Sequence, residues 1–153
     1  FPHPQVPGLD FSFSGLKTAV LRTVQAELHK PLSFPSHQLA PLLSKTQIAD
    51  FAASFQQTAV DILIEKLTLA LKHYPETKSL IIAGGVSANQ TLRQTAQSTF
   101  SHSPFSLPVF FPAPEFSGDN AAMVGSAAFY EIKSGIQPTD PYHLNLAPRS
   151  AIF

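Results

Sequence analysis

The sequence predicts a layered α/β domain built around buried strands. Two short apolar runs, residues 79–83 and 109–111, are typical of strands that are buried on both faces. Stretches with helical periodicity precede, separate and follow these runs, and such alternation is typical of α/β layers. A chain of 153 residues has the usual size of one domain and is long enough to bury a core.

The first part of the chain predicts a short strand and a helix. Residues 10–14 alternate polar and aromatic side chains, which indicates a half-buried strand. Apolar residues then recur at spacings of three and four over residues 16–29, and Pro31 ends this pattern. The proline-rich residues 31–43 predict an irregular loop.

A longer helix is predicted from Ser44 to about His73. Ser44 suits the N-cap, and Gln47 stands at the third position of a capping box. No Gly or Pro interrupts the apolar period that follows, so the helix is long enough to cross the whole domain.

The second half predicts a strand, turn and helix pattern that occurs twice. Residues 84–87 form a tight turn before a helix at 88–101, and the strand at 109–111 precedes a helix at 120–133 that Gly135 ends. Small residues on the inner side of the last helix allow close approach to a neighbouring element. We therefore assign residues 1–135 to one α/β lobe and residues 136–153 to an irregular tail.

Composition excludes several classes of protein. Without cysteine the chain has no disulfide or thiolate metal site, and a reducing, cytoplasmic location is expected. Ten basic residues balance ten acidic ones, so no basic surface for nucleic acid or anionic membrane is indicated. No apolar run approaches the roughly 20 residues of a membrane span. The chain begins at Phe1 without a leader pattern, which suggests a fragment or a processed product.

Gly84 and Gly85 form the first candidate site, because they follow a buried strand and precede a helix. Ligands of open α/β sheets collect beyond the carboxyl ends of strands, and glycine lets the backbone approach a ligand closely. The helix N-terminus would add free N–H groups, and Asn89 would hydrogen-bond a base or ribose. The alternative is a tight turn without a ligand.

Asp119 is the second candidate. It follows the second apolar run and precedes the last helix, so it suits an N-cap. The alternative role is that of a carboxylate ligand to a divalent cation at the carboxyl end of the sheet.

The other ionisable residues predict no site. The histidines show no metal-ligand spacing and are expected at the surface: His3, His29, His37, His73, His102 and His143. Lys17, Arg22 and Arg93 are scattered and are expected to be solvated. No GxSxG, P-loop or HExxH motif occurs, and no catalytic nucleophile or general base is assigned.

Four segments of the chain have a distinctive sequence: DFSFSGLKT at 10–18, residues 48–56 at the start of the long helix, AGGVSAN at 83–89 and GDNAAM at 118–123. Together they resemble motifs of the TsaD/Gcp family of tRNA threonylcarbamoyladenosine transferases, and residues 48–56 are similar to the start of that family's long helix. The resemblance extends from about residue 2 to 135, and the first two motifs in this order are highly specific.

The resemblance implies an ASKHA (actin/hexokinase/Hsp70-like) fold and transfer of a threonylcarbamoyl group from its adenylate to N6 of adenosine 37 in tRNAs that read ANN codons. It implies that Gly84, Gly85 and Asn89 contact threonylcarbamoyl-AMP or an adenine nucleotide. It also implies that Asp119 binds a divalent iron or zinc that polarises the reacting group. The implied partners are tRNA and other subunits of the modifying complex.

The sequence departs from the family by what it lacks. Family members are more than twice this length, and the N-terminal lobe, with the HxxxH pair of further metal ligands, is missing. The chain therefore resembles an incomplete C-terminal half of an enzyme. We expect Asp119 alone not to hold a metal tightly, and we expect the isolated chain to be inactive.

Two other interpretations stay open at this stage. One is a noncatalytic ASKHA paralogue that serves as a scaffold subunit, and the other is half of a sugar or acyl kinase. Retention of Asn89 together with Asp119 favours the transferase over the scaffold, and the segment at 10–18 argues against the kinase.

Self-association is expected for an incomplete lobe. A sheet of about three core strands would have a bare edge, and the small-residue face at 121–128 would lose its covering. A charged fraction of 13% offers little to oppose association.

Overall fold

The computed structural model describes residues 1–3 and 6–136, so residues 137–153 of the predicted irregular tail lie outside the described part. Four α-helices and two strands form the described part: α1 (Ser14–Glu27), α2 (Lys45–His73), β1 (Leu80–Ile81), α3 (Gln90–Phe100), β2 (Val109–Phe110) and α4 (Ala121–Lys133). Short 3-10 turns lie at Ser36–Gln38, Ala40–Leu42, Gly85–Ala88 and Pro114–Phe116. The order of strands and helices confirms a mixed α/β arrangement. No helix among the described residues is both long and apolar enough to cross a membrane.

The two strands form a small parallel sheet. Leu80 pairs with Val109 and Ile81 with Phe110. The amide of Leu80 donates to the carbonyl of Pro108 at 2.9 Å. Parallel neighbours need a crossover connection, and α3 supplies it between the two strands.

The core lies between α2, α3 and one face of this sheet. Leu71 of α2 packs with Ala96 and Phe100 of α3, and the latter two side chains are fully buried. Partly buried side chains surround them: Ile64, Leu67, Leu80, Ile82, Phe105, Leu107, Val109 and Phe111. Burial of this kind is the main stabilising term for the strand–helix–strand unit.

The prediction that both strands are buried on both faces is wrong. Ile81 is 71% exposed and Phe110 is 55% exposed, although they are register partners on the same face of the sheet. Leu80 and Ile82 point to the opposite, covered face, because successive side chains alternate along a strand. No element within residues 1–3 and 6–136 covers the face of Ile81 and Phe110.

The long helix is confirmed with its predicted start. Ser44 Oγ accepts a hydrogen bond from the amide of Gln47 at 3.2 Å, and Gln47 Oε1 accepts one from the amide of Ser44 at 3.0 Å. This reciprocal pair is the predicted capping box. The helix extends over 29 residues to His73.

The strand predicted at residues 10–14 is wrong. Residues 10–13 have no regular structure, and α1 already begins at Ser14. Alternation of polar and aromatic residues produces a strand only when a neighbouring strand supplies the ladder of hydrogen bonds. No strand in the described part of the chain lies beside this segment.

The loop after α1 is attached to that helix by a buried polar side chain. Gln25 is 1% exposed, and its Nε2 donates to the carbonyls of Leu32 at 3.2 Å and Phe34 at 3.1 Å. These bonds satisfy the buried amide and fix the proline-rich segment against α1.

The last helix, α4, is exposed over all its 13 residues. Gly135 ends it with a φ of 81°, as predicted. The predicted inner face of small residues has no neighbour in the part of the chain that is described, in agreement with the expected loss of its covering.

Candidate functional site

An open cleft of about 690 Å³ lies where the carboxyl ends of β1 and β2 meet. Gly84 and Gly85, from the loop after β1, form one wall, and Gly118, Asp119 and Asn120, from the loop after β2, form a second. Residues of α4 complete the lining: Ala122, Met123 and Ser126. Ligands of parallel sheets are expected at this edge because the loops that follow both strands converge there. The structure thus brings together the two segments that the sequence singled out.

The glycine wall, formed by Gly84 and Gly85, leaves space beside its backbone. Gly84 has a φ of 88°, a value that side-chain-bearing residues rarely adopt. A Cβ atom added to either Gly84 or Gly85 would have no protein atom within 4 Å, so packing against the protein does not require glycine at these positions. Space beside the backbone is left for a ligand.

A short turn separates the glycines from α3, as predicted. Gly85–Ala88 forms a 3-10 turn, and α3 begins only at Gln90. The amides at the start of the turn lack partners within it, as at any helical start. The predicted tight turn is confirmed, and the helix begins two residues later than the predicted residue 88.

Asn89 is the N-cap of α3. Its Oδ1 accepts a hydrogen bond from the amide of Leu92 at 3.0 Å, and its Nδ2 donates to Gln56 Oε1 at 3.1 Å. It lines a second, mainly apolar groove of about 550 Å³ beside α2, whereas Gly84 and Gly85 line the cleft. Ala83 borders both spaces. Contact between Asn89 and a nucleotide stays a prediction.

Asp119 is not the N-cap of α4, so that interpretation is wrong. Asn120 holds the cap, because its Oδ1 accepts from the amide of Met123 at 2.9 Å. The Nδ2 of Asn120 also donates to the carbonyl of Gly118 at 2.9 Å. Asp119 is exposed and lines the cleft. Its carboxylate is left available for a role other than capping.

The described residues do not fit a tightly held metal by themselves. No three or more His, Cys, Asp or Glu side chains within residues 1–3 and 6–136 lie close enough together to hold a metal ion. Transition metals in proteins are usually held by three or four such ligands, and Asp119 supplies one carboxylate. Any metal at this position needs ligands from outside the described residues.

We expect substitutions at two neighbouring residues, Asn120 and Asp119, to differ in their effect on stability. Asn120→Ala should lower the free energy of unfolding by about 1 kcal/mol, because it removes the cap of α4. Asp119→Ala should change it by less than about 0.5 kcal/mol, because Asp119 is exposed and does not cap. Thermal or urea denaturation measures both values. A larger loss for Asp119→Ala would contradict the assignment of the cap to Asn120.

A polar cluster behind the cleft was missed by sequence reasoning. Ser87 and Ser117 are 1% and 4% exposed, and Ser87 Oγ donates to Ser117 Oγ at 3.3 Å. Arg93 is half-buried beside them, and its Nε donates to the carbonyl of Ser87 at 2.6 Å. The prediction that Arg93 is solvated is wrong. No pattern in the sequence indicated this contact, because the partners of Arg93 are backbone carbonyls.

The histidine prediction holds for four of the five described residues. His29, His37, His73 and His102 are exposed. His3 is half-buried, and its Nδ1 lies 3.1 Å from the Glu65 carboxylate. His143 lies outside the described residues.

Comparison with known proteins identifies the family. The model of the TsaD family, described as tRNA N6-adenosine threonylcarbamoyltransferase, matches residues 1–126. All four segments that carry the resemblance lie inside this range. The match confirms the resemblance and disfavours half of a sugar or acyl kinase.

Several bacterial proteins of this name are similar to the chain. The protein from Lacticaseibacillus casei strain BL23 is 45% identical over 123 residues, which is 80% of this chain and 32% of the relative. The protein from Chlorobium chlorochromatii is 39% identical over 145 residues, covering 95% of this chain and 37% of the relative. That from Enterococcus faecalis strain V583 is 40% identical over 139 residues, covering 91% and 36%. The chain spans about a third of the length of these relatives, and it belongs to the TsaD family.

Proposed function

We propose that this chain is the C-terminal part of a tRNA N6-adenosine threonylcarbamoyltransferase and that its cleft holds the adenylate end of the acyl donor. The single observation that carries the proposal is the convergence of two family segments, at Gly84–Gly85 and at Asp119, on one cleft. The family match over residues 1–126 supports the reaction class.

The proposed reaction is an acyl transfer between two bound substrates. N6 of adenosine 37 attacks the carbonyl carbon of the threonylcarbamoyl group, and the bond from that carbon to the phosphate oxygen breaks. AMP leaves, and N6 loses one proton. A reaction of this kind needs the two substrates held in line and does not need a protein nucleophile. This agrees with a cleft whose buried hydroxyl, that of Ser117, is already hydrogen-bonded.

The glycine wall is proposed to bind and orient the donor. With no side chain at Gly84 or Gly85, a phosphate or ribose can approach the backbone amides at the start of the 3-10 turn. Asn89 is proposed to contact the nucleotide part of the donor. As the N-cap of α3, it also fixes where that helix begins. Asp119, on the opposite wall, is proposed to supply one ligand of a divalent iron or zinc. The remaining ligands would come from the rest of the protein.

The wider assembly is also proposed. The two parallel strands and their helices are compatible with part of an ASKHA lobe, which the rest of the full-length protein would complete. The chain has no net charge, so electrostatic contacts to tRNA would come from other parts of the enzyme or from partner subunits.

The test is a transfer assay on the full-length protein that contains this chain. It would be incubated with threonylcarbamoyl-AMP and a tRNA that reads an ANN codon, and the modified nucleoside would be measured by mass spectrometry. The same tRNA with adenosine 37 replaced by guanosine is the control and should remain unmodified. Absence of product with the necessary partner subunits present would favour the noncatalytic scaffold.

A further inference from the structure

Two loops and the start of α4 line the cleft, and no backbone hydrogen bond joins the two loops to each other. The first contains Gly84 and the 3-10 turn that follows β1, and the second contains the 3-10 turn Pro114–Phe116 and the residues up to Asn120. The sheet that precedes them has only two residues in each strand. A ligand that touches both walls needs a fixed distance between them, so some other contact must set it.

Arg93 bridges the two loops. Its Nε donates to the carbonyl of Ser87 at 2.6 Å, and its Nη2 donates to the carbonyl of Pro112 at 2.7 Å. Nη2 also lies 3.5 Å from Ser117 Oγ. The guanidinium thus contacts Ser87 in the first loop. In the second loop it contacts Pro112 and Ser117, which flank the 3-10 turn.

The planar shape of the guanidinium suits this position. Its carbon lies 4.9 Å from the centre of the Phe111 ring, so the group stacks on an aromatic face while its nitrogens donate at the edge. No carboxylate forms an ion pair with Arg93 among the described residues. Two carbonyl dipoles and the Phe111 ring stabilise its positive charge, and hydrogen bonds from a charged donor are stronger than neutral ones.

The buried serines complete the same connection. Ser87 Oγ donates to Ser117 Oγ, and Ser117 Oγ lies 3.5 Å from the carbonyl of Ala113. Both side chains are almost fully buried, and no buried side-chain nitrogen or oxygen lacks a hydrogen-bond partner in the described part of the chain. Loss of one partner would leave buried polar groups unpaired, so the bridge resists partial opening.

We infer that Arg93 is a positioning residue that sets the separation of the two cleft walls and thereby the affinity for the donor. It lines neither the cleft nor the apolar groove, so it acts through Gly84–Ser87 and Pro112–Ser117. The effect on donor affinity rests on the proposed function, whereas the bridge between the walls does not.

The first experiment measures the bridge without any ligand. In the full-length protein, Arg93→Lys keeps the positive charge but removes the planar guanidinium, whose separate nitrogens donate to the carbonyls of Ser87 and Pro112. Amide hydrogen exchange should become about 10-fold faster in residues 84–88 and 113–120 together. Arg22→Lys is the matched control, because Arg22 also donates to the carbonyl of a loop residue, Leu32. Neither Arg22 nor Leu32 lines the cleft. Unchanged exchange in either wall, or equal acceleration by the control, would overturn the inference.

The second experiment measures the consequence for the donor. Arg93→Lys should raise KM for threonylcarbamoyl-AMP by about 10-fold or more, since displaced binding groups lose affinity. A variant that merely unfolds a fraction of the molecules lowers kcat in proportion and leaves KM unchanged. Ser87→Ala should raise KM less and in the same direction, and it keeps the test valid if Arg93→Lys folds poorly.

The outcomes separate this inference from the proposed function. An unmodified protein without transfer activity would refute the proposed function, while the exchange experiment would still decide whether Arg93 joins the walls. An active protein in which Arg93→Lys and Ser87→Ala leave both KM and exchange unchanged would refute the inference alone.

Discussion

Gly85→Val should abolish binding of the adenylate donor by the full-length protein and leave its fold intact. A Cβ at Gly85 would meet no protein atom within 4 Å, and Gly85 does not adopt a positive φ. The first atom of a side chain is therefore tolerated by the protein, and the valine would fill the space beside the backbone where the donor is proposed to lie. Donor binding should weaken by at least about 100-fold, because a ligand displaced by an ångström loses its contacts.

The measurements are calorimetric titration with threonylcarbamoyl-AMP and a melting curve. Gly15→Val is the matched control: Gly15 also has open space around it, but it lies in α1 and lines neither the cleft nor the apolar groove. Both variants should change the free energy of unfolding by less than about 1 kcal/mol. Gly84→Ala should instead destabilise, because Gly84 has a φ of 88°. Full donor affinity in Gly85→Val would show that the ligand binds elsewhere.

The helices were predictable where the signals are local. Ser44 and Gln47 are three residues apart, so their capping box is visible in the sequence and sets the start of α2. The position of the cleft was also predictable, because parallel strands place their following loops at one edge. These inferences need no knowledge of distant contacts.

The failures arise where distant contacts decide the outcome. Residues 10–13 have a strand-like pattern but no neighbouring strand in the described structure. Arg93 stands in a polar stretch that is typical of a surface helix. Its partners at Ser87 and Pro112 are backbone carbonyls, which every residue carries. Backbone acceptors leave no mark in a sequence, so this bridge was not predictable.

Asp119 shows a third kind of failure, in which two residues suit the same role. Both Asp and Asn are good N-caps, and the choice between Asp119 and Asn120 depends on where α4 begins. Helix ends are the least predictable bounds, and a shift of one residue here moves the carboxylate from the cap to the cleft. The roles of Gly84, Gly85, Asn89 and Asp119 toward a ligand stay predictions.

The isolated 153-residue chain should self-associate in solution. The described part contains a sheet of only two strands, so each strand has one edge without a partner in that part. Ile81 and Phe110 project from the uncovered face, and α4 adds exposed Val124, Phe129 and Ile132. Apolar surface of this kind is normally buried against another element or another chain. Light scattering should therefore report dimers or larger species.

Substitution on the uncovered face tests which surface is responsible. Lysine at both Ile81 and Phe110 should weaken association by on the order of 100-fold, because each buried apolar side chain contributes roughly 1.5–3 kcal/mol. Gln97→Lys is the control, since Gln97 is exposed on α3 and adds the same charge away from that face. An unchanged oligomer in the double variant would assign association to α4 or to the strand edges. A monomer formed by the unmodified chain at high concentration would show that these surfaces do not drive self-association, and the prediction would be wrong.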